Sequence, residues 1–219
     1  FTWSRDFAEP ITGTAWISFL SSWNPDQATG TGYDDPYSNN GWQSFLINGS
    51  GDDHLTMFGG TGNRFSGLFD DFDLSDHKND AGVTNLVDAG SVFTDDVATY
   101  LHLIKLETNV SGNNDRVTWY ATSNTSGITG NALADLESAV SSGTLKKLTA
   151  TSSDGDWWGD SLTSLGIEIN NPSTSHLVDI SFDNMRVVFG LSDDDAIAAL
   201  LSGDSGILGT LPIGFGMHG

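Results

Sequence analysis

Short segments in which apolar and polar residues alternate recur along most of this chain, and turn-forming residues separate them. In the segment 115–122, Val117, Trp119 and Ala121 occupy every second position. A period of two places successive side chains on opposite faces of a strand, so such segments are typical of half-buried strands. The pattern predicts strands at 14–20, 42–48, 54–59, 99–110, 115–122, 164–170 and 176–190.

In the segment 176–190 the apolar residues change phase. They occupy even positions first and odd positions afterwards: Val178, Ile180 and Phe182, then Met185, Val187 and Phe189. An extra residue inserted into one strand of an antiparallel pair produces such a change. The sequence therefore predicts a β-bulge near Asp183–Asn184.

Two segments have the spacing of amphipathic helices instead. In 131–143 the apolar stripe consists of Leu133, Leu136 and Val140, and the segment ends at Gly143. In 191–203, Ser192 is placed to cap the first turn, and residues 193–195 are all Asp. Because carboxylates interact favourably with the dipole at a helix N-terminus, we interpret this triplet as structural rather than as a metal site.

The charge is strongly negative and is carried almost entirely by aspartate. The chain has 29 acidic and 8 basic residues, a net charge of −21, and 25 of the acids are Asp. Asp favours turns over helix interiors, which suits a loop-rich β protein. Such a field argues against nucleic acid as a partner, and no apolar run reaches the ~20 residues needed for membrane insertion. Since Cys is absent, disulfides and thiolate metal sites are excluded.

Many short strands, few helices and Gly-rich turns predict an all-β fold, a two-sheet antiparallel β-sandwich (jelly roll) with one or two short helices. We expect residues 1–203 to form this sandwich domain. Residues 204–219 are expected to form an extended, apolar, Gly-rich C-terminal segment. The composition favours an extracellular or cell-surface location.

The second half of the chain resembles a known family. The runs "YLHLIKLETNV" and "DRVTWYAT", followed by "SLGIEIN" and "HLVDISFDNMRVV", are similar to the concanavalin A-like, laminin G-like jelly rolls of bacterial secreted proteins. In those proteins a late strand reads roughly Phe-Asp-Asn-aliphatic-Arg-Val, and residues 182–187 match it. The resemblance implies the sandwich fold over about 120 residues.

The same resemblance raises the possibility of glycan hydrolysis or cleavage by a lyase. Laminarinase-like members carry Glu-x-Asp-x-x-Glu on one strand, and glycosidases need two facing carboxylates. Here the four Glu residues are isolated, and Glu168 stands alone in "GIEIN". Lyase signatures are also absent, so we expect no enzymatic activity. An atypical glycan-degrading enzyme with an Asp-based site remains the second alternative.

Two clusters of Asp are candidate Ca²⁺ sites, because carboxylate oxygens are the ligands that Ca²⁺ prefers. They are Asp70, Asp71, Asp73 and Asp76 in "DDFDLSD", and Asp154, Asp156 and Asp160 in "DGDWWGD". Neither matches a complete twelve-residue calcium loop, and in a chain this rich in Asp such clusters usually face water, which favours solvated turns at both places. Calcium is the one cofactor that the sequence suggests.

The aromatic and histidine residues divide between the core and a candidate sugar site. Trp157 and Trp158 are adjacent and cannot both point inward on a regular strand, so one of them is a candidate for stacking on a carbohydrate. The alternative is that one caps the core while the other packs under a loop. Trp16, Trp42 and Trp119 are predicted core residues, and His102 is predicted to be a strand residue with a satisfied hydrogen bond.

The ends of the sequence have apolar residues at alternate positions and are candidates for self-association. They are Phe1 and Trp3 at the start, and Leu211, Ile213, Phe215 and Met217 in the C-terminal segment. Such a segment can pack on its own sandwich or add a strand to a neighbour.

Together these features favour a non-catalytic extracellular structural or adhesive module that binds copies of itself as a filament or surface layer. The alternative is a calcium-dependent, lectin-like module that binds extracellular polysaccharide.

Overall fold

A computed structural model describes residues 2–23, 42–49, 54–58, 71–78, 83–91, 99–112, 114–151, 158–170 and 180–202. The strands in these ranges are β1 (Thr2–Ile11), β2 (Thr14–Trp23), β3 (Trp42–Gly49), β4 (His54–Phe58), β5 (Asp71–Lys78), β6 (Val83–Ser91), β7 (Thr99–Ser111), β8 (Asn114–Thr122), β9 (Lys146–Thr151), β10 (Leu162–Asn170) and β11 (Ile180–Phe189). The helices are α1 (Leu133–Ser141) and α2 (Asp193–Ser202), and a short 3-10 turn spans Thr125–Gly127.

The strands form two antiparallel sheets. Sheet A has the order β1-β10-β3-β4-β5-β6, and sheet B has the order β11-β2-β7-β8-β9. The protein is therefore an all-β sandwich with two short helices, and the predicted fold class is confirmed. Strands β5, β6 and β9 were not predicted, because their sequences are rich in Asp, Lys and small polar residues instead of alternating apolar ones.

Sheet B is buried on both of its faces. The inner face, turned toward sheet A, carries fully buried side chains from its central strands, including Ile17, Ile104 and Trp119. On the outer face the helices α1 and α2 cover a second cluster, in which Trp16, Leu103, Tyr120 and Val188 contact Leu136, Ala196, Ile197 and Leu200. Burial of both faces explains why β8 is buried almost without interruption.

The predicted bulge in β11 is confirmed. The register with β2 shifts between Asp183 and Arg186, and Asn184 has φ of 54°. The Asp183 carboxylate accepts a hydrogen bond from the backbone N–H of Asn184 at 2.7 Å, which stabilises the turn in the strand.

The placement of Phe189 on the buried face was wrong. Met185, Val187 and Val188 are buried, whereas Phe189 is 39% exposed. Val188 is buried because the helices cover the outer face of sheet B. Phe189 lies opposite Ala15 at the end of an edge strand, where no further strand in the described ranges covers it.

Both predicted helices are confirmed, at slightly shorter bounds. The Ser192 hydroxyl accepts a hydrogen bond from the Asp195 N–H at 3.3 Å and donates one to the Asp195 carboxylate at 2.6 Å, so Ser192 is the predicted N-cap. Gly143 follows α1 with φ of 78°, the left-handed conformation in which glycine ends helices at little cost. Neither helix has the length and apolar character that crossing a membrane requires.

Candidate functional site

Polar side chains are concentrated on the outer face of sheet B, the face that carries α1 and α2. Lys105, Arg116, Lys147 and Arg186 lie there, which is half of the eight basic residues in the chain. Register aligns Trp16 with Lys105 across β2 and β7, and Tyr120 with Lys147 across β8 and β9. In a chain with a net charge of −21, this face holds half of the basic side chains, and carboxylates pair with Lys105, Arg116 and Lys147.

Four side chains on this face form an ionic network: Lys105, Glu107, Arg116 and Asp193. Arg116 donates two hydrogen bonds to the Glu107 carboxylate, at 2.6 and 2.7 Å, and Lys105 lies 3.1 Å from the same carboxylate. Partial burial by itself would raise the pKa of Glu107. The hydrogen bonds from Arg116 and Lys105 outweigh it, so the pKa of Glu107 lies below its usual value.

Asp193 connects α2 to the sheet. Its carboxylate accepts hydrogen bonds from the indole N–H of Trp16 at 2.9 Å and from the Lys105 ammonium at 2.8 Å. Burial acts to raise the pKa of Asp193, but these two bonds lower it below its usual value. Asp194 accepts a hydrogen bond from the Leu133 N–H at 2.9 Å and so ties α2 to α1. Each carboxylate of the Asp triplet thus has a structural partner, as predicted.

A second polar cluster, of three side chains, centres on Glu137 of α1. Its carboxylate accepts hydrogen bonds from the Tyr120 hydroxyl and the Lys147 ammonium, both at 2.6 Å. Burial, and then the bond to Glu137, raises the pKa of Tyr120 above its usual value. Burial acts against ionisation of Glu137, but the bonds from Lys147 and Tyr120 leave its pKa lowered. Tyr120 is therefore held as a neutral donor.

The carboxylates of this face that have a shifted pKa are all ion-paired. The three carboxylates whose pKa departs from normal, those of Glu107, Glu137 and Asp193, all have a lowered pKa. A general acid at neutral pH requires the opposite shift. The ionic network and the Glu137 cluster hold the two helices on the sheet.

Beside the network, the same face has an open groove with a volume of about 370 Å³. We call it the outer groove. Its walls are formed by strands β2, β7 and β11, the loop after the 3-10 turn and the end of α2. The lining includes Leu20, Leu101, Ile128, Arg186, Leu200 and Leu201. Among the lining residues that the structure describes, Arg186 is the one with a charged side chain. Its guanidinium donates to the Leu200 carbonyl at 3.4 Å, at the negative end of the α2 dipole.

The sugar-stacking prediction for Trp158 is not supported, because this side chain is fully buried. A buried indole has no free face for a sugar ring. The Trp158 backbone packs so closely on β3 that a Cβ at Gly49 would overlap it. The backbone N–H of Trp158 donates a hydrogen bond to the Asp115 carboxylate at 2.9 Å, which fixes this turn against β8. Trp157 lies outside the described residues.

The two Asp clusters are not both turns. Asp71, Asp73 and Asp76 lie on strand β5, whereas a turn was expected there. Asp160 is exposed and accepts a hydrogen bond from the Asn109 amide at 3.4 Å. Asp70, Asp154 and Asp156 lie outside the described residues. The side chains of β5 are outside the described set. Among the side chains that are described, no three of His, Asp or Glu come together in an arrangement that could hold a metal ion.

The candidates for self-association lie mainly outside the described ranges. Trp3 is on edge strand β1, opposite Ile167 of β10. Phe1 and the apolar residues of the C-terminal segment lie outside the described residues, namely Leu211, Ile213, Phe215 and Met217.

His102 and the core tryptophans match their predictions where the structure describes them. His102 is fully buried, its Nδ1 accepts a hydrogen bond from the Trp119 indole at 3.0 Å, and its ring stacks on Phe19 at 4.5 Å. Burial lowers the pKa of His102 to about 3. Trp16 and Trp119 are buried. The side chain of Trp42 is outside the described set, although its backbone lies on β3.

Sequence reasoning missed the ionic network and the outer groove. One signal was present, because the alternation in 99–110 places Lys105 and Glu107 on the same face of a strand. Their partners Arg116 and Asp193 come from β8 and α2, and only the folded register brings them together.

No family model and no curated protein matches the chain. Among solved structures, SCP-B, a member of the eqolisin family of peptidases solved with the tripeptide Ala-Ile-His, is 10% identical with a TM-score of 0.36, over 85% of this chain and 81% of that one. The basic winged bean lectin with Tn-antigen is 13% identical with a TM-score of 0.26, over 77% and 79%.

Proposed function

We propose that this protein is a non-catalytic extracellular structural or adhesive module, of the laminin G-like kind, that associates with copies of itself. The observation that carries the proposal is the open, largely apolar outer groove at the end of α2. The segment that follows α2 contains no Asp, Glu, Lys or Arg from 205 to 219, although the chain as a whole carries −21. An uncharged apolar segment can approach a like-charged neighbour without the repulsion that keeps the bodies apart.

The state of the ionisable groups supports the non-catalytic part of the proposal. On the outer face each shifted carboxylate is ion-paired and has a lowered pKa. A site for acyl or glycosyl transfer needs a poised acid or base beside an accessible cleft. The outer groove offers instead leucine and isoleucine side chains and one arginine that binds a helix carbonyl.

The sheet edges favour association through a specific contact over general strand pairing. Within the described ranges, β1 and β6 end sheet A, and β9 and β11 end sheet B. Features that oppose pairing are present on three of these four edges. Residues 5–10 of β1 are mostly exposed and include three charged side chains and a proline, β9 begins with two exposed lysines, and β11 is interrupted by its bulge. Such features block edge-to-edge pairing. The uncharged start of β1, with Trp3, stays a candidate for a second contact.

Deleting residues 206–219 should abolish association while leaving the sandwich folded. The described core contains no residue beyond Leu200, so the deletion removes none of it. We expect sedimentation velocity to show concentration-dependent assemblies for the full chain and a monomer for the truncated one, with the same far-ultraviolet circular dichroism.

The point variant Phe215→Lys serves as a second test in which the chain length is unchanged. It should also be monomeric at the concentration at which the full chain assembles, with an unchanged melting temperature. Assemblies of the truncated chain that match those of the full chain would contradict the proposal, and so would loss of the fold in both variants.

A further inference from the structure

We propose that the outer groove is the receptor for residues 211–217 of a second copy of the chain, bound in an extended conformation. The inference rests on the proposed function and deepens it, because it names the surface that receives the segment. It assigns a role to an open apolar surface that the ionic network does not use.

The groove presents apolar surface that is continuous with the core but incompletely covered. Leu101, Ile128 and Leu201 pack against the buried cluster under the helices, yet each is only half-buried. Together with Leu20 and Leu200 they line the groove. An occupant with apolar side chains would complete this layer and remove the exposed area from water.

Residues 211–217 have the complementary pattern. Four apolar side chains occupy alternate positions, and the residues between them are Pro212, Gly214 and Gly216. In an extended segment the four side chains share one face, and the thin opposite face adds little bulk. Backbone groups of the bound segment would meet hydroxyl and amide side chains in the groove wall, since Ser18, Thr125 and Asn184 are part of the lining.

Charge selects this segment among the parts of the chain. The described part of the groove lining contains no acidic side chain, and its arginine donates to the Leu200 carbonyl. If an Asp-rich loop of a neighbour bound there, its carboxylates would be buried against leucine and isoleucine side chains. Such burial of an unpaired charge is unfavourable. The segment 211–217 has no ionisable side chain to desolvate.

The position of the groove favours a segment from a second copy. Leu200 and Leu201 belong to the last turn of α2 and form part of the groove wall. A segment leaving this helix must reverse its direction within 203–210 in order to enter the groove beside which it starts. A segment from another copy needs no such reversal.

The test is complementation between two variants of the full chain. Leu201→Lys places a charge in the groove and leaves the segment intact, whereas Phe215→Lys alters the segment and leaves the groove intact. Leu191→Lys is the matched control, because Leu191 is also half-buried against the same cluster but lies outside the groove lining. Ile128→Lys is a second groove variant, in case Leu201→Lys disturbs α2.

We expect sedimentation velocity to show assembly of the wild type and of Leu191→Lys. The two groove variants and Phe215→Lys should each require at least tenfold higher concentration to assemble. An equimolar mixture of Leu201→Lys and Phe215→Lys should form a one-to-one dimer, since one intact segment meets one intact groove.

Wild-type-like assembly of folded Leu201→Lys and Ile128→Lys would overturn the groove assignment and leave self-association standing. Absence of the dimer from the mixture would also overturn it. Failure of the wild type to assemble at any concentration would overturn the proposed function together with this inference.

Discussion

Lowering the pH from 7 to 4.5 should remove about 2.5 kcal/mol from the free energy of unfolding through one residue, His102. Burial lowers the pKa of His102 to about 3, whereas an exposed histidine in the unfolded chain has a pKa near 6.5. Between these two values the unfolded state binds one more proton than the folded state. The stabilisation is therefore fully present above pH 6.5 and is lost progressively as the pH falls toward 3.

The measurement is urea-induced unfolding at a series of pH values, with His102→Gln as the matched variant. Glutamine can accept the hydrogen bond from the Trp119 indole but does not titrate. The variant loses the stacking on Phe19, so we expect about 1 kcal/mol lower stability at pH 7. Between pH 6 and 4.5 the free energy of unfolding should fall less steeply for the variant than for the wild type. The two slopes should differ by about 1.4 kcal/mol per pH unit.

The carboxylates act in a more acidic window and do not obscure this result. Glu107, Glu137 and Asp193 have a folded-state pKa below the usual values of 4.5 for Glu and 3.8 for Asp, so most of their stabilisation is lost only as the pH falls below about 4.5. Equal slopes for the wild type and His102→Gln between pH 6 and 4.5 would show that His102 does not stay neutral in the folded protein.

Replacing Asp115 with alanine should cost about 3 kcal/mol or more. Asp115 is fully buried, and its carboxylate accepts hydrogen bonds from the Asn109 N–H at 3.1 Å and the Trp158 N–H at 2.9 Å. It joins the β7–β8 connection to the turn that carries Trp158. Alanine leaves both donors without this acceptor, and the backbone N–H of Trp158 lies in a buried site, where an unsatisfied donor is costly.

Asp115→Asn and Asp160→Ala are the controls for this prediction. The asparagine amide retains one acceptor oxygen, so it should cost roughly half as much as alanine. Asp160 is exposed and makes one 3.4 Å contact in the same region, and its replacement should change stability by less than about 0.5 kcal/mol. Equal effects of Asp115→Ala and Asp160→Ala in thermal unfolding would contradict the account.

Local patterns were sufficient for the parts of the fold that depend on neighbours in sequence. The alternation in 115–122 predicts β8, the cap at Ser192 predicts the start of α2, and the phase change predicts the bulge at Asn184. These features depend on residues a few positions apart, where side-chain period and capping chemistry act directly.

The parts that could not be predicted depend on distant residues. Trp16 and Asp193 are 177 positions apart, and Lys105 and Asp193 are 88 apart, yet each pair is joined by a hydrogen bond. The burial of Trp158 likewise follows from packing on β3 and from the Asp115 carboxylate on β8. Strand β5 was interpreted as an acidic turn because Asp is rare in strands, and tertiary pairing overrides that preference.

Cysteine cross-linking tests most directly the claim that the C-terminal segment of one copy occupies the groove of another. The chain has no native Cys, so the background is clean. Leu201→Cys in the groove and Phe215→Cys in the segment are introduced into separate chains of different mass, mixed and oxidised, with Leu191→Cys as the control. The account predicts a covalent dimer of Leu201→Cys with Phe215→Cys, and little product between Leu191→Cys and Phe215→Cys. The contradicting result is absence of that mixed dimer while a single chain carrying both Leu201→Cys and Phe215→Cys forms an internal disulfide.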